Sequence, residues 1–171
     1  MTNGGHPPLC SLTSSASSSS SPIVSSSARV YIPFPNPLGF AGDVSIGADS
    51  AFCAGVAVAP VSDWRLYDTH YTERYMGLPI DNEEGYAKSN VINQIHALKS
   101  PLLLMHGMAD DNVLFTHSTL LMSALQKHGK DFDLMTYPGA KHSMQEEHVS
   151  IHRFRKILSF FNFHLKRPAN L

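Results

Sequence analysis

Residues 101–115, "PLLLMHGMADDNVLF", join an unbroken apolar run to a loop carrying two adjacent carboxylates, Asp110 and Asp111. A short apolar run of this kind reads as a strand buried in a parallel sheet. A carboxylate beside a core is costly unless it is hydrogen-bonded or takes part in chemistry. The loop that leaves this strand is therefore a candidate site.

Two further runs frame it. "FCAGVAVAP", residues 52–60, is small and β-branched and stops at Pro60, which suits another buried strand. "FDLMTY", residues 132–137, reads as a third. Helical patterns lie between and after them. "DTHYTERYMG", residues 68–77, predicts a short helix or turn ended by Gly77 and Pro79. Residues 82–98 are polar and predict one or two short helices. Thr116 to His128 predicts a helix with Leu121, Ala124 and Leu125 on one face and Gly129 as its stop. Ser143 and Glu146 have the spacing of a capping box for a final helix. Phe154, Ile157, Leu158, Phe161 and Leu165 would form the apolar stripe of that helix. Strands alternating with helices predict an α/β fold with an open, mostly parallel sheet.

The first part of the chain has a different character. Residues 1–42 carry one charge, Arg29, and hold six of the eleven prolines. From Ser11 to Ser27, 11 of 17 residues are serine, too few apolar groups to offset the entropy of ordering the chain. We therefore expect residues 1–47 to be a disordered or irregular Ser/Pro-rich segment, with the folded domain at 48–171. The start lacks the basic and compact apolar stretches of a secretory signal.

Composition excludes several classes. A formal net charge of −1 over 171 residues offers no electrostatic footprint for nucleic acid or an anionic membrane. No apolar run approaches the roughly 20 residues that span a bilayer. Cys10 and Cys53 do not make a disulfide framework and leave the compartment undefined. His148 and His152 are four apart on the final helix, but no acidic or cysteine ligand completes a metal motif, and a solvated face is the simpler reading.

The chemistry gathers on two loops. In parallel α/β sheets, reactive groups collect beyond the carboxyl ends of the strands. "HGMADDNV" follows the strand at 101–105, and "YPGAKHSM", residues 137–144, follows the strand at 132–137 and carries His142. Neighbouring strands would bring these loops together. An aspartate bonded to one imidazole nitrogen fixes the tautomer and stabilises the imidazolium formed during proton transfer. His142 would then be a general base, and the order acid before histidine is that of α/β-hydrolases. Each piece has a plainer reading as well. Loop aspartates often cap helices or bind backbone N–H groups, and a histidine ahead of a helix is often structural.

"AGVAVAPVSDWRLYDTHYTERYMGLP", "LLLMHGMADDNVLF" and "YPGAKHSM" together resemble the C-terminal part of the catalytic domain in the dipeptidyl peptidase IV group of the prolyl oligopeptidase family of serine peptidases. The resemblance runs from about Ala48 to the C-terminus. It implies the C-terminal part of an α/β-hydrolase fold. It implies Asp110 as the triad acid and His142 as the triad base, with Asp111 structural and bonded to nearby backbone. Val61, Trp64, Tyr67, Tyr71, Asn112 and Val113 match positions that shape the pocket for the penultimate proline or alanine of a peptide substrate. Aromatic walls with a small aliphatic residue suit a flat apolar ring; without the resemblance this cluster reads as ordinary core. Acyl-enzyme hydrolysis of this kind needs no metal or organic cofactor. Related enzymes often dimerise through their hydrolase domains, so a homodimer built on the final helix is an expectation too.

One part is missing. The family's nucleophile elbow, G-x-S-x-G, occurs nowhere in the 171 residues. "DVSIG", residues 43–47, has Asp43 in place of the first glycine, and Ser45 lies too near Cys53 for an elbow helix and return loop. No nucleophile is assigned. Upstream oxyanion donors and the family's β-propeller are likewise not found. The change of character near residue 48 reads as a truncated or frame-shifted product with a genuine peptidase tail. The expected chain is a serine-peptidase relative with acid and base but little or no activity alone, or else a non-catalytic interaction module.

Overall fold

The computed structural model describes residues 54–165. The Ser/Pro-rich segment, Ser45, Cys10 and Cys53 lie outside them. Three apolar runs form strands: β1 (Gly55–Val58), β2 (Leu102–Gly107) and β3 (Asp133–Tyr137). They pair in the order β1-β2-β3, all parallel, with Val56 beside Leu103 and Gly107 beside Tyr137. Every residue of the central strand is buried, which explains its unbroken apolar reading.

Among the described residues four α-helices lie between and after the strands in the chain: α1 (Thr69–Met76), α2 (Glu83–Ser89), α3 (Thr116–Lys127) and α4 (Glu147–Leu165). Short 3₁₀ segments cover Trp64–Leu66 and Val91–Ala97. Local chemistry sets the ends of α1: the Asp68 carboxylate accepts from the Tyr71 N–H, and Gly77 takes a φ of 72° at the other end. The Asn82 side chain caps α2 in the same way, accepting from the Gly85 N–H.

Alternation along β2 divides the core in two. Leu102 and Leu104 pack with Ile95, Leu98, Leu121, Ala124 and Leu125, under the 3₁₀ segment and α3. Leu103 and Met105 face the other way, onto Met144, Val149, Ile157, Phe160 and Phe161 of the last loop and α4. Burying each such side chain contributes about 1.5–3 kcal/mol. The sheet is therefore sandwiched between two helical layers, as the alternation of strands and helices predicts.

Two expectations for the last helix need correction. The capping box does not form: α4 begins at Glu147, and the carbonyl of Ser143 instead accepts from Arg153. Met144, with a φ of 45°, already departs from helical backbone. The apolar stripe is also rotated. Val149, Ile157, Phe160 and Phe161 are buried, whereas Phe154 and Leu158 are exposed. The most apolar residues of the helix do not all face the sheet; it is reached by the adjacent face.

Candidate active site

The two loops meet because the sheet register delivers them side by side and their backbones then join. The Met108 N–H donates to the Tyr137 carbonyl at 3.0 Å, and the Ala109 N–H to the Ala140 carbonyl at 3.1 Å. Gly107 sits at the junction. A Cβ there would run into the Ala140 carbonyl and lie 2.9 Å from that of Lys141, so only glycine allows this approach.

Asp110 is buried at this seam and fully partnered. Its Oδ1 accepts from the N–H groups of Asn112 at 2.9 Å and Val113 at 3.0 Å. Its Oδ2 accepts from His142 Nδ1 at 2.8 Å and His106 Nε2 at 3.1 Å. Four donors converge on one carboxylate, which offsets the cost of burying it. A carboxylate only accepts, so His142 carries its proton on Nδ1 and leaves Nε2 as its second nitrogen. The His142 side chain is 17% exposed, enough to meet an incoming group, while that of Asp110 is 0% exposed.

His106 was not foreseen. It occupies the end of β2 with no exposure, its ring edge-on to Phe115. Besides Asp110, its Nε2 faces the Val113 carbonyl at 2.8 Å, and its Nδ1 lies 2.7 Å from Ser118 Oγ on α3. The available signal was a polar residue closing an otherwise apolar buried strand, four positions before the acid. A second buried imidazole, His117, accepts at Nδ1 from the Ser62 N–H at 3.2 Å, while Ser62 Oγ donates to the His117 carbonyl at 3.0 Å. This pair ties the loop after β1 to α3. Burial, with nearby His106 second, holds the His117 pKa below its ordinary 6.5.

The Asp111 carboxylate bonds nearby backbone, its own N–H. It is exposed and pairs with Lys141 Nζ at 2.8 Å, a hydrogen bond that lowers its pKa and raises that of the lysine. His148 and His152 are exposed, and His152 Nδ1 lies 3.2 Å from the Tyr137 hydroxyl.

The aromatic residues singled out in the sequence form one cluster. Trp64 stacks on Tyr71 at 6.2 Å, and Tyr67 meets both rings edge-on at 5.7 Å. Tyr67 donates its hydroxyl to Asn112 Oδ1 at 2.6 Å, which connects the cluster to the Asp110 loop. Burial and the Asp68 charge raise the Tyr67 pKa, so the phenol remains a donor at neutral pH. Val61 is half-buried, and Val113 is buried with both its backbone groups engaged by Asp110 and His106. A cavity of about 510 Å³ opens at the opposite ends of the strands, beside Leu102, Lys130, Asp133 and His164, away from this chemistry.

Residues 39–168 match the model of the prolyl oligopeptidase family. The chain belongs to the prolyl oligopeptidase family. Human dipeptidyl peptidase 8 is 44% identical over 108 residues, covering 59% of this chain and 12% of that protein. Dipeptidyl peptidase 4 of Sus scrofa is 43% identical over 122 residues, covering 67% of this chain and 16% of the relative. The crystal structure of Porphyromonas gingivalis dipeptidyl peptidase 4 superposes with a TM-score of 0.65 at 37% identity, over 67% of this chain and 16% of that one. Within the prolyl oligopeptidase family these relatives mark the dipeptidyl peptidase IV-like group, and the fold is the C-terminal part of an α/β-hydrolase domain. The chain thus spans only a small part of the proteins it matches. Among the described residues no helix is long and apolar enough to cross a membrane.

Proposed function

We propose that this chain carries the acid–base half of a serine dipeptidyl peptidase site. The supporting observation is the 2.8 Å bond from His142 Nδ1 to the buried Asp110. Asp110 orients the imidazole and stabilises its protonated form. His142 Nε2 takes the proton of an attacking serine hydroxyl and later returns it to the leaving amine. The acyl-enzyme then hydrolyses by the same route in reverse. Val61, Trp64, Tyr67, Tyr71, Asn112 and Val113 would surround the proline or alanine next to the scissile bond.

In this reading the 171 residues lack the nucleophile, because no G-x-S-x-G is present. Triad members act as a unit, so losing one removes roughly 10⁴-fold to 10⁶-fold of rate. The purified chain should therefore leave a chromogenic Gly-Pro substrate unchanged and resist labelling by a fluorophosphonate probe. Labelling that vanishes in Ser45→Ala would show that Ser45 serves as nucleophile and would overturn the incomplete-site reading.

One observation favours a second reading, a self-associating module. Ile151, Phe154 and Leu158 are exposed at i, i+3 and i+7 along α4 and so share a face. Sedimentation that shifts with concentration, without turnover, would support it; a monomer at all concentrations would remove it.

A further inference from the structure

We propose that His106 is a positioning residue: braced by Ser118, it holds Asp110 Oδ2 where His142 can use it. The proposal rests on the acid–base reading above. His106 Nε2 faces two acceptors, Asp110 Oδ2 at 3.1 Å and the Val113 carbonyl at 2.8 Å. A bare nitrogen there would set three lone pairs against one another at a fully buried ring. His106 therefore carries its proton on Nε2, and its Nδ1 accepts from the Ser118 hydroxyl at 2.7 Å.

Two imidazoles of opposite tautomer then donate to a single carboxylate oxygen, His106 from inside the core and His142 from the solvent side. The inner ring is the fixed one. His106 and Ser118 have no exposure, and they join β2 to α3, two elements packed directly against each other. The outer ring sits on a loop. Without His106, Oδ2 would keep only its bond to His142, and rotation of the carboxylate about its Cβ–Cγ bond would be resisted from within the protein only by the Asn112 and Val113 N–H groups on Oδ1. The order is thus a chain of control: α3 places Ser118, Ser118 braces the His106 ring at Nδ1, His106 sets Oδ2, and Oδ2 sets His142.

The test needs no turnover and uses the full chain labelled with nitrogen-15. Long-range proton–nitrogen spectra of the imidazoles should show His106 protonated at Nε2 and His142 at Nδ1. The His142 Nδ1 proton should give a low-field signal, assigned by its loss in His142→Gln. In His106→Gln, whose amide places a donor near the former Nε2, that signal should persist. In His106→Leu it should be lost to exchange with water while the remaining amide spectrum stays dispersed. If the leucine variant does not fold, Ser118→Ala serves instead: His106 should keep its proton on Nε2, where its two acceptors remain, but its ring loses its brace and the His142 signal should weaken. A His106 protonated at Nδ1 in the unaltered chain would overturn the proposal. So would a His142 signal indifferent to His106→Leu, or to Ser118→Ala where that variant is the one read. If the unaltered chain lacks the His142 signal altogether, the Asp110–His142 reading itself fails, which is a different result from an intact signal that ignores His106.

Discussion

Asp110 accepts hydrogen bonds from four groups and its side chain has no exposure, so its chemistry is tightly constrained. In Asp110→Asn the new amide NH₂ must face either the two backbone N–H groups or the two imidazoles. One donor-to-donor clash is unavoidable, and we expect a loss of roughly 2–4 kcal/mol, read from urea unfolding. His117 makes a prediction in pH. Its pKa is lowered in the folded chain relative to an ordinary 6.5. As pH falls below that value the unfolded chain binds a proton that the folded chain resists, so stability drops until the folded pKa is passed. His117→Asn keeps an acceptor for the Ser62 N–H but cannot titrate. Urea midpoints measured from about pH 8 to about pH 5 should fall less steeply in that variant; parallel slopes would mean that His117 is not the group responsible. Asp110 and His142 were legible in the sequence because loop position and chain order both marked them. His106 and Ser118 were not, since a histidine in an apolar strand and a serine in a helix have no pattern until the fold brings them together.

At the scale of elements, the seam between the two loops matters most. Gly107 permits it, and Gly107→Ala would drive a methyl into the Ala140 carbonyl, a backbone atom that cannot rotate aside. The loop bearing His142 must then move away from β2. We expect a cost of about 1–3 kcal/mol, as for other overpacked sites, together with disappearance of the low-field His142 proton. A variant of unchanged stability and unchanged signal would show that the loops are not packed as described. Strand and helix positions followed from the sequence because apolar periodicity records burial directly. The start of α4 did not, because Ser143 and Glu146 have the right spacing but the backbone at Met144 turns the other way. The aromatic cluster was identifiable only through the family resemblance, since Trp64, Tyr67 and Tyr71 carry no periodic mark of their own.

Taken whole, the described chain is a parallel sheet whose middle strand supports both helical layers. Leu104 has no exposure and packs under α3; Leu104→Ala should cost about 2–5 kcal/mol, measured by the same denaturant titration. An effect below 1 kcal/mol would indicate a loosely packed layer on that side. The paired loops have a kinetic consequence as well. Amide protons in loops usually exchange with deuterium almost as fast as in a free peptide, because brief local openings expose them. Those of Met108 and Ala109 are tied to Tyr137 and Ala140 across the end of the sheet. The Met108 bond ends on Tyr137, the last residue of β3, and we expect both to open when β3 comes away from β2. Their protection should therefore match that of Leu104 and Met105 rather than that of other loops, and exchange measured on the native chain would show it. The stretch that delivers Asp110 would then belong to the slowest-opening unit of the molecule, standing assembled in the resting chain with no ligand to hold it.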